Sequence, residues 1–255
     1  MAAAFDLEAA LGSSAVVIGT LVIAIASLAG RLGPLVCCAG LFALASLIFS
    51  QTGKGAEGSF SGKEEMPVDQ SRYITDWKVI ALITSGAAAY GMQALIEVAT
   101  VTRFGERTTV ALILSAWATT SFLGGLCLSQ LKSRDQVRLV LLPIPAVACI
   151  AMASLAASKS SWFVVAVIAS GVGVAPMLSV LATEVARLTS SSQLTRTYSW
   201  LQLSSWLGYG AATAVAGMLA ANSLPLLLLL ACALATLSVA LIFACLQAVP
   251  ASGDP

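Results

Sequence analysis

Apolar residues gather into eight blocks along the chain, at roughly residues 12–30, 33–50, 79–102, 108–130, 137–157, 162–186, 198–221 and 224–247. Each exceeds about 17 residues, long enough to cross a bilayer as a helix. The pattern therefore predicts an all-α, polytopic membrane bundle of about eight transmembrane helices. Arg31, Leu32, Gly33 and Pro34 form a tight turn between the first two blocks. Residues 51–76 are polar and glycine-rich and include Lys63, Glu64 and Glu65, a composition that does not fold by itself. The expected organisation is a two-helix piece at 1–50, a linker at 51–76, a six-helix piece at 77–248 and a tail at 249–255.

The blocks differ inside. Those at 33–50, 137–157 and 224–247 are plain, and such helices can face lipid all round. Those at 79–102, 108–130, 162–186 and 198–221 carry Gly, Ser, Thr, Gln, Tyr and Trp, which suit close helix contact or a wet cavity.

In the block at 79–102, Gly86, Tyr90, Gln93, Glu97 and Thr100 follow one another at helical steps, so they share one face. Lipid offers no hydrogen bonds, so this stripe faces protein or water. An ionisable group there is a functional candidate; the competing reading is helix packing, with Glu97 at the membrane boundary. At about 1.5 Å per residue from Val79, Tyr90 and Gln93 lie roughly 17 and 21 Å along the helix. Glu97 lies at roughly 27 Å, close to the far edge of a core about 30 Å thick.

The block at 198–221 repeats the pattern with Tyr198, Gln202, Ser205 and Tyr209. That face lines a cavity or bonds between helices. Trp206, Gly210, Thr213 and Gly217 make a neighbouring face suited to a partner helix. In the block at 162–186, Pro176 closes the run Gly-Val-Gly-Val-Ala-Pro near mid-membrane and should bend the helix. Transporters use such breaks at binding sites, and other membrane proteins use them to set packing angles. Ser179 and Thr183 are placed to satisfy freed carbonyls. Glu184 and Arg187 are spaced for an ion pair, and the turn from Lys132 to Arg138 is short and basic.

Composition narrows the chemistry. The 255 residues are 58% hydrophobic and only 10% charged, against roughly 25% charged in soluble domains. Mean hydropathy is +0.93. Net charge is +1 with no basic block that would draw nucleic acid. Histidine is absent, which removes His-based metal sites, haem ligation through His and Ser-His or Cys-His pairs. With no G-x-S-x-G and no mid-span Asp pair either, an enzyme is not expected, nor a cofactor or metal. The six cysteines lie in apolar runs without C-x-x-C spacing, as small buried hydrophobes do. With both ends on one side, nine of the thirteen Lys and Arg fall on that side and four on the other. The positive-inside rule then puts both termini in the cytoplasm of a cell-membrane protein.

The ordered pattern resembles the major facilitator superfamily, in particular the actinobacterial-type branch of its drug and small-solute exporters. The likeness rests on residues 90–101 (YGMQALIEVATV), 112–125 (LILSAWATTSFLGG), 171–176 (GVGVAP) and 198–210. The six blocks from Trp77 onward are similar to helices seven to twelve of that twelve-helix fold. Residues 1–50 look like helices five and six, with 51–76 as the linker between halves; helices one to four have no counterpart. The acidic start, with Asp6 and Glu8 and no early Lys or Arg, fits a truncated form of a twelve-helix parent. The resemblance implies a secondary transporter exporting a small amphipathic solute by alternating access, with the proton as coupling ion. It places Tyr90, Gln93, Tyr198, Gln202, Ser205 and Pro176 at the solute and makes Glu97 the protonatable candidate. The implied partners are the lipid bilayer, the solute and the missing N-terminal helices. The alternative is a non-transporting membrane scaffold or inactive remnant.

Overall fold

The computed structural model describes residue 40 and residues 77–130, 142–155, 161–190, 193–220 and 223–247. The expected two-helix piece, the linker, the tail and the basic turn from Lys132 to Arg138 lie outside the described residues, residue 40 apart. Among the described residues all the regular elements are helices: α1 (Trp77–Phe104), α2 (Arg107–Gln130), α3 (Ile144–Leu155), α4 (Trp162–Gly171), α5 (Val174–Leu188), α6 (Leu194–Ala220) and α7 (Leu224–Gln247).

Four spans among the described residues are long and apolar enough to cross a membrane: Trp77–Phe104, Thr108–Leu126, Trp162–Leu188 and Leu224–Gln247. Two expected spans fall short of that standard, for different reasons. The described part of α3 has 12 residues, too short to cross. Helix α6 has 27 residues, but its Ser, Thr, Gln and Gly content dilutes its hydropathy. A helix of that kind needs protein contact on more than one face.

Helix α1 is the centre. It packs against α6 on one side and α7 on the other, and also touches α2 and α5. Leu82, Ala89, Met92, Leu95, Ile96 and Ala99 are fully buried along it. It stops at Phe104 because Gly105 takes φ 65°, the left-handed conformation that ends a helix at little cost only for glycine. At this end the Arg103 guanidinium stacks 4.3 Å from the ring centroid of buried Phe163, tying α1 to the start of α4.

Helix α7 does not face lipid all round, as its plain composition suggested. Leu227, Leu228, Ala231, Ala235, Ser238, Ile242 and Cys245 form a stripe buried within the bundle, while Leu226, Leu229 and Leu237 are exposed. At its centre Ser85 and Ser238 hydroxyls meet at 2.8 Å, and Ser85 also donates to the Ser238 carbonyl at 3.0 Å. Helix α6 departs in the opposite direction. It buries Ser205, Ala212 and Ala216 but leaves Trp206 58% and Met218 77% exposed. Interior character therefore holds for α1 and only for one face of α6.

The expected bend at Pro176 is an interruption of the helical hydrogen bonds a turn earlier, at residues 172 and 173, whose backbone stays in the right-handed helical region. Helix α4 ends at Gly171, residues 172 and 173 form a turn, and α5 begins at Val174. Pro176 is the third residue of α5, where its missing N–H has no intrahelical partner to lose.

Candidate functional site

Two helix seams gather polar side chains between closely packed helices. The first joins α1 to α6. Its floor is made of small residues: a Cβ at Gly208 would overlap the Ala87 carbonyl, and one at Gly86 would meet the Leu201 and Ser205 side chains at 2.7 and 3.0 Å. Because both glycines lack that atom, the helices approach closely. Ser204 donates to the Ile83 carbonyl at 3.0 Å.

On the rim of this floor the two stripes meet. Tyr209 donates to Glu97 Oε2 at 2.5 Å, a length typical of a hydroxyl facing a carboxylate. The Tyr90 and Gln202 side chains face each other across the seam. The Trp206 ring packs edge-on to both Tyr90 and Tyr209, with centroids 5.9 and 6.0 Å apart. Gln93 lies between Tyr90 and Glu97 on the same face, and its Nε2 is buried with no hydrogen-bond partner among the described residues. The result is a carboxylate, two phenols, an indole and two amides on one strip. One buried donor there is left unsatisfied, a costly state inside an apolar helix pair.

The structure thus brings Tyr90, Gln93, Glu97 and Gln202 together and separates them from the other candidates. Tyr198 reaches away to α5, donating to the Ala182 carbonyl at 2.6 Å. Ser205 is buried under Gly86 and donates to the Leu201 carbonyl of its own helix at 2.8 Å. Pro176 is buried in the second seam. Tyr209 and Trp206 are the partners that sequence reasoning left out of its site set. Tyr209 stands in the same stripe as Gln202 and Ser205, so the signal was there; the facing of the two stripes was not.

The second seam joins α2 to the α4–α5 break. Straightening the chain through residues 172 and 173 would give the Ile168 carbonyl the Val172 N–H as its partner. Val172 instead bonds to the Ala169 carbonyl at 3.2 Å. Thr120 of α2 fills the gap, donating to the Ile168 carbonyl at 2.7 Å. Thr183, expected to serve freed carbonyls, bonds to Ser179 one turn below within α5 at 2.8 Å. Trp117 Nε1 donates to Ser170 Oγ at 3.0 Å, and Ser170 donates to the Val167 carbonyl at 2.6 Å. Gly124 and Gly171 let these backbones touch: a Cβ on either would overlap a carbonyl oxygen, of Val172 or of Trp117.

At the other end of α5, Arg187 and Glu184 pair at 3.0 Å, with Glu184 buried and Arg187 exposed. Set beside family models, curated proteins and solved structures, the chain matches none.

Proposed function

We propose that the chain is a secondary active transporter of the major facilitator type, moving a small amphipathic solute across the cell membrane by alternating access. In this reading the helices from Trp77 onward are the second six-helix half, and the blocks at 12–30 and 33–50 are two helices of the first. Both termini lie in the cytoplasm. Tyr90, Gln93 and Gln202 contact the solute, Trp206 stacks on its apolar part, and Glu97 exchanges the coupling proton with Tyr209 as its hydrogen-bond partner.

One observation carries the reading. Glu97, bonded to Tyr209 of α6, and the Gln93 Nε2 that lacks a partner among the described residues lie one turn apart on α1, and intramembrane ionisable groups mark solute and ion paths. The broken α4–α5 span adds support, because interrupted helices are a recurrent feature of transporter binding sites.

The test is uptake into proteoliposomes under an imposed pH gradient, scored against a panel of amphipathic solutes. Glu97→Gln should abolish the pH-driven component and leave binding of the solute within a few-fold. Unchanged coupling in that variant removes Glu97 from the mechanism.

A second reading has its own observation. Tyr198 to the Ala182 carbonyl and Ser204 to the Ile83 carbonyl are interhelical bonds of the kind that glue membrane helices. A scaffold without transport uses the stripes only in this way. It requires Gln93→Leu and Gln202→Leu to be without phenotype.

A further inference from the structure

The opposite end of α1 holds a concave feature that the transport reading does not use. Val79 and Glu97 are 18 residues apart, about 27 Å along the helix. Between the first turns of α1 and α6 lies a cavity of about 210 Å³. Val79, Ile80, Ile83 and Trp200 make its apolar wall, and Gln193, Arg196 and Thr197 its polar side.

Two independent features point to the same kind of occupant. The first is electrostatic. Arg196 sits in the first turn of α6, a turn with no acidic residue. Helix N-termini already carry a partial positive charge and unsatisfied N–H groups, so a cation there is unfavourable until an anion joins it. The second is location. Trp77 and Trp200, 52% and 47% exposed, stand at these helix ends, as tryptophans do where hydrocarbon meets water.

We propose that this cavity binds an anionic glycerophospholipid. The phosphate lies against Arg196 and the α6 N-terminus. The first methylenes of an acyl chain lie on Val79, Ile80, Ile83 and Trp200. The volume is below the roughly 300–1,000 Å³ of sites that enclose a whole ligand. The cavity therefore takes the headgroup and the adjoining carbons, leaving the chain ends in the bilayer.

The experiment uses the full chain, purified in an uncharged detergent. Native mass spectrometry counts retained lipid, and thermal unfolding is followed with added phosphatidylglycerol, phosphatidylcholine or inorganic phosphate. Phosphatidylglycerol should be retained and raise the Tm, while the other two leave it unchanged. Arg196→Gln should weaken phosphatidylglycerol binding about tenfold or more, as loss of a charge-assisted hydrogen bond does. Ile83→Trp, which fills the apolar wall and keeps the charge, should displace the lipid as well. Equal shifts from the two lipids overturn the proposal in favour of unspecific solvation. A shift reproduced by inorganic phosphate overturns the lipid in favour of a soluble phosphate ester. Should Arg196→Gln fail to fold, retained phosphatidylglycerol in Ile83→Trp overturns the proposal just as well.

Discussion

The two polar seams of the bundle use similar residues to different ends. At the α2 seam, Thr120, Trp117 and Ser170 are tied into neighbouring backbone or to each other, and the glycines bring carbonyls into contact. At the α1–α6 seam the floor is as tight, but the rim keeps a carboxylate, exposed indole and an unpartnered amide. Hydroxyls and glycines in a membrane helix therefore read as glue where the hydrogen bonds close. Where they fail to close, the same chemistry reads as a site.

The largest expected effect comes from forcing either seam apart. Gly208→Val and Gly124→Val each drive a branched side chain into a carbonyl, at the top of the roughly 1–3 kcal/mol range for overpacking or beyond it. Thermal unfolding in detergent should show both as severe losses, and equal severity would show that the two floors are alike. Thr120→Val comes next. It keeps the shape but strands the Ile168 carbonyl at the break, costing about 1–3 kcal/mol for an unsatisfied buried group. The smallest effect has the opposite sign. Gln93→Leu removes a buried amide nitrogen that has no partner among the described residues, and should leave stability unchanged or raise it by up to about 1 kcal/mol. If solute flux falls while the Tm rises, the rim is a site. Intact flux makes the rim glue like its counterpart.

Much of this architecture was legible in the chain. Every apolar block among the described residues is helical, because long hydrophobic runs have few other ways to satisfy their backbone in lipid. The register of Tyr90, Gln93 and Glu97 was legible for the same reason that any helical face is. Pairing was not. That Glu97 meets Tyr209, 112 residues later, depends on which helices adjoin, and periodicity says nothing of neighbours. The role of Thr120 was hidden too, since its acceptor exists only once the chain breaks at Val172. The Ser85–Ser238 pair was missed because one of its members sits in a run of leucines and alanines with no polar stripe to announce it.

The break itself has a mechanical consequence. Its upper arm, α4, is fastened to α2 through Ser170 and the Ile168 carbonyl. Its lower arm, α5, is fastened to α6 through the Ala182 carbonyl. A continuous helix clamped at both ends would resist any change of angle between those neighbours along its whole length. Where the helical hydrogen bonds are interrupted at residues 172 and 173, such a change of angle would fall on a pair of peptide units that also rest against Gly124 of α2, so α2 holds the very point at which the span would yield.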